Sequence, residues 1–436
     1  MSLSARAFTL IALTFLLAIV GLWTQDETLH GLWRWPAALI LLGLAIESVL
    51  VRHRRFALRV DVAPRGYLGR PMQGRMVLEN RDRAPLAVEF AFDAPRGMGA
   101  QSGTCVLRAT GRQLVGEPLA LMPIRLGASP WPALRARVLG LFGLAWWTRQ
   151  IPQEATVAVA PDLLGSAALR AANANEGATA GRARGSGAEL HQLRQYRPGD
   201  PLHRIDWKAS ARRAGLVTRE FTEDQHLDVI VALDAGRSSR LSAGALDRLG
   251  TFANVAARFA EHAIAHDDRV GLLVYAARVQ SVVSPTRGRA AVTRIRSALE
   301  ALGNDTSTGA TESSPLAAAL RIRSLARQRS LVVLLTDLDD VTTGGELARA
   351  VRLLQMRHLV IVAGVAVPEI EQLAAAPAQA WPDPYRALAA REWQARSRAQ
   401  LASLRSAGTP VIAARANDLE AAVLSYYARL RRNRRV

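Results

Sequence analysis

Asp200, His203 and Asp206 stand three residues apart inside "LRQYRPGDPLHRIDWKASARR", residues 193–213. A carboxylate and an imidazole at that spacing can meet on a helix, and such a pair could move a proton or bind a metal. The same stretch carries Arg197, Trp207 and the only lysine of the chain, Lys208. No suitable nucleophile is specified nearby, and arginines stand beside both acids to neutralise them. Pro198-Gly199 marks a turn. Asp200 is placed to cap a helix with Pro201 first in it. Leu202, Ile205 and Ala209 would then share a packing face, and His203, Asp206 and Ser210 another. This pattern predicts an ion-paired docking segment with Arg197, Asp200, His203, Asp206, Trp207 and Lys208 as partner-binding residues and no catalytic residue. A hydrolase built on Asp200, His203 and Asp206 is the alternative.

A second constellation is spread more widely. Asp234 ends the apolar run "LDVIVALD", and Asp337 follows the apolar run in "SLVVLLTDLDD". Between them "GATESSPLAAAL" brings Thr311 and Ser313 into a loop before a helical segment. Two carboxylates with hydroxyls and water are hard oxygen ligands of the kind that suit Mg²⁺.

The elements that would position these groups follow from the patterning. Residues 7–23 contain no charge, and a second apolar run covers 32–50 with Trp33 and Trp35 at one end and Glu47 near the other. Both are of spanning length. A cleaved signal peptide competes for the first run, and a buried helical pair in a soluble fold competes for both. The close succession of the two favours a transmembrane hairpin over residues 1–55. Arg6 precedes it, "VRHRR" follows it, and the connection "TQDETLH" is acidic. The positive-inside rule then puts both ends in the cytoplasm, which predicts an inner-membrane protein with a large cytoplasmic C-terminal region.

Residues 56–162 read as short alternating strands between turns, a β-sandwich-like segment, in which "GLFGLAWWTR" reads as core or packing. Residues 163–192 are small, polar and Gly-rich and read as a flexible linker. Residues 193–226 hold the polar stretch, with "LVTREF" extended. From 227 to 436 buried apolar strands alternate with helices, among them Leu246, Leu249, Phe252, Ala256, Phe259 and Ala263 at helical spacing. That alternation implies a mainly parallel, Rossmann-type sheet covered on both faces. In such sheets sites lie at the carboxyl ends of strands, where Asp234 and Asp337 stand.

Composition narrows the function classes. The net charge is +19 over 436 residues, but nearly all of it is arginine spread along the chain, with only the tail "RLRRNRRV" clustered. Zinc-finger spacing and RNA-binding aromatic signatures are missing, so nucleic acid is not the expected partner. An anionic-surface binder remains a third reading, with steep salt dependence as its mark. The single Cys105 excludes an intrachain disulfide and any multi-cysteine metal site. Without a G-x-x-x-x-G-K-[ST] loop the chain is not expected to hydrolyse ATP.

The C-terminal layout resembles a von Willebrand factor A domain. That resemblance implies a metal site of Asp234, Ser238, Thr311 and Asp337, with Asp234-Ala235-Gly236-Arg237-Ser238 matching a D-x-S-x-S loop except at Gly236. The lost hydroxyl and the neighbouring Arg237 both weaken the match. The longer stretch "LRQYRPGDPLHRIDWKASARRAGLVTREF" resembles the signature of the DUF58 family of bacterial proteins. This resemblance extends to two N-terminal membrane helices, a β-rich segment and an A-like domain. It implies a MoxR-type AAA+ ATPase as partner, alongside other membrane or envelope proteins. The expected function is a non-enzymatic, membrane-anchored adaptor or scaffold in assembly or maturation of protein complexes, with Mg²⁺ as the cofactor the A-like site implies.

Overall fold

Long apolar runs with few charges make the first two helices, α1 (Ala5–Trp23) and α2 (Arg34–His53). Each is long and apolar enough to cross a membrane. Phe8, Leu13, Phe15, Leu39 and Leu42 are exposed along them. A helical pair buried in a soluble core would cover these side chains. The computed structural model describes residues 1–23, 31–95, 97–100, 103–162, 184–213, 215–222, 226–304, 311–338 and 344–432. The acidic connection at 24–30 therefore lies outside the described residues.

The chain divides into two compact units. One comprises Met1–Asp162 with Gly244–Gly250 and Leu299–Thr306, the other Leu163–Ala243, Thr251–Ala298 and Ser307–Val436. The first unit contains β1 (Ser2–Leu3), α1, α2, β2 (Phe56–Val62), β3 (Arg65–Tyr67), β4 (Met72–Asn80), β5 (Leu86–Phe92) and β6 (Met98–Ala100). It continues through β7 (Gly103–Ala109), β8 (Leu114–Pro123), β9 (Gly127–Pro130), β10 (Leu134–Leu139), β11 (Ala145–Ile151) and β12 (Thr156–Ala160). These strands form sheets ordered β1-β11-β10-β5-β7, β2-β4-β8-β6 and β3-β12-β9. The alternation read from the sequence sends Leu58, Met76 and Leu78 of the four-stranded sheet and Val88, Phe90 and Val138 of the five-stranded one into a shared core.

The second unit opens with β13 (Arg184–Gln195), α3 (Trp207–Arg213) and β14 (Val217–Thr222). β13 and β14 pair antiparallel. This corrects the linker expected over 163–192: residues 184–192 are strand, because "LVTREF" offers them a partner, and 163–183 lie outside the described residues. There follow β15 (Asp228–Asp234), α4 (Arg248–Ala265), β16 (Arg269–Tyr275), β17 (Val279–Thr286), α5 (Arg289–Asn304), α6 (Pro315–Leu325) and β18 (Leu331–Leu335). The chain then runs through α7 (Gly344–Gln355), β19 (Leu359–Val365), α8 (Pro368–Ala375), α9 (Asp383–Ser406), β20 (Val411–Ala414) and α10 (Leu419–Arg432). Leu246, expected in the helix that became α4, lies just outside it.

The six strands order as β17-β16-β15-β18-β19-β20, parallel throughout except for the edge strand β17. Ile230, Ala232, Val332 and Leu334 pack with α6 and α7 in one core. Val229, Val231, Leu233, Val333 and Leu335, which alternate with them, are equally buried. Burial of both faces is why these strands read as unbroken apolar runs.

One buried acid ties the last helix to this sheet. Asp268, just before β16, accepts the Leu227 amide at 3.0 Å, accepts the Tyr427 hydroxyl, and pairs with Arg431 at 2.7 Å. Asp268→Ala leaves the Arg431 cation and the Tyr427 hydroxyl without that carboxylate. A loss of about 3 kcal/mol is expected, read as a lowered denaturation midpoint of the purified protein; a change within experimental scatter would refute this anchoring role.

His262 on α4 lies against His266 and Tyr427, with ring centroids 4.6 and 5.9 Å away. Burial first, then the charges of His266 and Arg431, lower its pKa from 6.5 to about 4. The unfolded chain therefore binds the proton more readily. The contribution of neutral His262 is present above about 6.5 and is lost as pH falls towards about 4. His262→Gln should flatten the stability–pH profile in that window, measured by thermal unfolding across the range.

Candidate functional site

Sheet topology decides where chemistry can sit. The chain leaves β15 for β16 on one side and later returns to β18 on the other. The crevice at this reversal opens at the carboxyl ends of β15 and β18. Asp234 is the last residue of β15, and Asp337 lies two residues beyond β18. Both are buried.

Asp234 accepts hydrogen bonds from donors on three segments. Its Oδ1 accepts the Gly236 amide at 2.9 Å and the Ser313 hydroxyl, and its Oδ2 accepts the Thr336 hydroxyl at 2.7 Å. A buried carboxylate needs such compensation to stay charged. Gly236 has a steric reason as well. A Cβ there would stand 2.1 Å from Ser313 Oγ and 3.2 Å from Asp234 Oδ1. The hydroxyl that the loop lacks at 236 is thus supplied from across the crevice by Ser313.

The remaining expected ligands sit nearby in the chain but in different environments. Ser238 is half-buried in the short turn Arg237–Arg240. Thr311 is exposed, and its carbonyl accepts the Arg237 amide at 2.8 Å. The Arg237 guanidinium pairs with exposed Glu312 at 3.5 Å, so its charge is engaged by a neighbouring carboxylate. Ser314 caps α6 and also donates to Glu346 of α7, which accepts the Leu316 amide at 3.2 Å. Burial, and then the Asp234 charge, push the Tyr275 phenol well above its ordinary range. It stays protonated beside the carboxylate.

Among the described residues no group of three or more His, Cys, Asp or Glu is placed to bind a metal. The donor chemistry around Asp234 is nonetheless all oxygen. Carboxylates of Asp234 and Asp337 with hydroxyls of Ser313 and Thr336 fit a hard divalent cation in kind, since a hydroxyl that donates to Asp234 can also present a lone pair. Thr336 was not legible as a site residue. Its only sequence signal is its place between the end of β18 and Asp337.

The polar stretch folds differently from the single helix expected. Leu202–Arg204 is a short 3₁₀ turn, and Ile205 bridges Thr218 of β14. α3 then starts at Trp207, with Asp206 accepting the Ala209 amide at 3.0 Å. Asp206, rather than Asp200, is the capping residue, because the bridge at Ile205 interrupts any helix begun at Pro201. Asp200 instead closes the Arg197–Asp200 turn, where Gly199 has φ +104°. It accepts the Arg197 amide at 2.8 Å and binds Arg194 through two 2.8 Å bonds.

Those bonds set the acids' character. Arg194 above all, and the Arg197 amide next, lower the Asp200 carboxyl to about 2. Asp206 is lowered by the Ala209 amide and by Arg219, which pairs with it at 3.1 Å. Both acids are ionised and engaged within their own segment. Arg197, Leu202, His203, Trp207, Lys208 and Arg212 are exposed. Trp207 is 67% exposed and Leu202 68%, so the leucine expected on the packing face with Ile205 and Ala209 does not pack in this fold.

A family model described as "Protein of unknown function DUF58" matches residues 192–386, somewhat under half of the chain. No curated protein matches. Among solved structures, the conserved hypothetical protein BatB from Bacteroides thetaiotaomicron is 21% identical, with 33% of this chain and 68% of that one covered and a TM-score of 0.25. An uncharacterised membrane-spanning protein from Vibrio fischeri is 19% identical, with 31% and 71% covered and a TM-score of 0.16. Scores this low carry no argument about this chain.

The tight fit at Gly236 is testable. Gly236→Ala should destabilise the protein by about 1–3 kcal/mol through overpacking. Gly236→Ala with Ser313→Gly should lose less than the sum of the two single losses, measured as denaturation midpoints; additive losses would show that the two positions do not share the space.

Proposed function

We propose that this chain is a membrane-anchored, non-enzymatic adaptor whose C-terminal unit is a von Willebrand factor A-like protein-binding domain. The sorting of charge in the 193–213 segment supports this most directly. Its acids are engaged by Arg194 and by Arg219 of β14, while three cations (Arg197, Lys208 and Arg212), a histidine, a leucine and a tryptophan are left exposed. An exposed tryptophan beside cations fits an acidic, partly apolar protein surface, since aromatic and basic anchors carry interface energy out of proportion to their number. The resemblance of this segment to DUF58 proteins makes a MoxR-type AAA+ ATPase the proposed partner, in the assembly or maturation of protein complexes.

α1 and α2 are the proposed membrane hairpin. Arg6 at one end of the pair and Arg52, Arg54 and Arg55 at the other favour the cytoplasmic side of an inner membrane. At the sheet reversal, Asp234, Ser238, Thr311 and Asp337, with Ser313 and Thr336, are the groups that would hold Mg²⁺. Such an ion would offer an open position to an acidic side chain of the partner. The hydrolase alternative is less well supported, because Asp200 and Asp206 are held as ionised structural acids rather than poised near neutral pH.

The deciding experiment is affinity purification of the full chain from gently solubilised membranes, with and without ATP and Mg²⁺, followed by mass spectrometry. An AAA+ ATPase is expected in the nucleotide-containing sample. Trp207→Ala with Lys208→Ala should reduce its recovery about tenfold or more, the effect of losing roughly 1.4 kcal/mol or more of binding. Undiminished recovery would remove the segment as the interface. If no ATPase is recovered in any condition, the adaptor reading fails and turnover by the His203→Ala variant becomes the question.

A further inference from the structure

The β10–β11 hairpin turn is apolar at its tip and bolted at its root to both apolar helices. Its tip residues Leu141 and Phe142 are 44% and 49% exposed. At its root the Leu144 and Ala145 amides donate to Glu47 of α2, each at 3.1 Å. Glu47 is fully buried, and a Cβ on Gly140 would stand only 2.2 Å from its carboxylate. From the residue just before α1, the Ser4 amide donates to the Leu144 carbonyl at 2.9 Å, and the Ser4 hydroxyl donates to the Gly143 carbonyl. β1 also pairs with β11. The turn is therefore fixed in depth relative to α1 and α2.

That depth can be read off α2. Glu47 is the last acid before the basic end of the helix, and it marks where the uncharged stretch gives way. Leu144 reaches beyond it: a Cβ on Gly43 would lie 2.9 Å from Leu144 Cδ1. Gly43 is one helical turn, about 6 Å, further into the apolar stretch than Glu47. On α1, Gly143 lies beside Arg6, at the corresponding boundary. With α1 and α2 spanning a bilayer, a turn at this level, with two bare apolar side chains, would stand at the height of the lipid head groups and the first acyl carbons.

Resting on the reading of α1 and α2 as membrane spans, we infer that Leu141 and Phe142 insert into the head-group–acyl boundary of the leaflet that adjoins the β-rich unit. The lipid surface is the one occupant whose apolar face continues directly from the exposed side chains of the two helices. Apolar side chains immersed in that boundary gain the burial they lack in the protein. The segment "GLFGLAWW", read from sequence as core packing, would then be a third membrane contact that limits tilting of the β-rich unit.

The test uses the full chain with Cys105→Ser, reconstituted in phosphatidylcholine–phosphatidylglycerol nanodiscs. Single cysteines replace Phe142, Leu13 on α1, or Leu114 on β8, all exposed positions, and carry an environment-sensitive fluorophore. Lipids bear a nitroxide either high on the acyl chain or near its end. The Phe142 probe should lose fluorescence to the high nitroxide more than to the deep one, the Leu13 probe should respond to the deep one, and the Leu114 probe to neither. A Phe142 probe as insensitive as Leu114, with Leu13 quenched, overturns the insertion and leaves the spans intact. A blue-shifted Phe142 probe that lipid does not quench assigns the tip to a protein partner or a second copy, which also overturns it. Absence of quenching at Leu13 overturns the membrane reading itself.

Discussion

A carboxylate with almost no exposed surface cannot remain charged without donors, and Asp234 sits in that condition at the carboxyl end of a central parallel strand. Its solution draws three separate segments together. The Gly236 amide comes from its own loop, the Ser313 hydroxyl from the loop before α6, and the Thr336 hydroxyl from the end of β18. Each donor is worth little net in water-exposed settings but is obligatory here, because an unmatched buried acceptor carries its full desolvation penalty. The exclusion of any side chain at 236 follows from the same requirement, since Ser313 occupies that volume.

The same constraint recurs elsewhere, each time with an acid as the tie point. Glu47 joins a helix to a hairpin through two amides. Asp268 joins the entry of β16 to α10 through a phenol and a guanidinium. Asp200 and Asp206 organise a turn and a helix start through arginines and amides. In a chain with 56 basic and 37 acidic side chains, the acids are the scarce partners, and these five serve as internal connectors. The surplus of positive charge is left to the surface. The outward set at Arg197, His203, Trp207 and Lys208 is a local instance of that surplus with an apolar component added. That combination is what makes it suited to a specific partner, where scattered arginine would offer only long-range attraction.

Much of this architecture was legible in the sequence. The two apolar runs became α1 and α2 to within three residues at each end, because length and hydropathy determine such helices. Alternation in residues 56–160 and unbroken apolar runs after 227 separated strands covered on one face from strands covered on both. Asp234 and Asp337 were legible as strand-end acids. What failed depended on partners remote in sequence. Residues 184–192 look like linker because Gly, Ser and Ala carry no pattern, yet pairing with β14 makes them strand. The capping role moved from Asp200 to Asp206 because Ile205 bridges Thr218, an interaction invisible to local spacing.

Sequence by itself determined the elements whose causes lie within a few residues: the apolar helices, the strand periods and the Pro198-Gly199 turn. Tertiary structure decided which donors reach which acid. Ser313 and Thr336, remote in sequence, join the Gly236 amide as donors to that carboxylate, and Leu141 and Phe142 are left bare rather than packed. The physical reason is one of range. Backbone conformation and hydrophobic period are set by neighbours along the chain. The satisfaction of a buried charge, and the exposure of an apolar tip, depend on what the fold brings within about 3–4 Å of them.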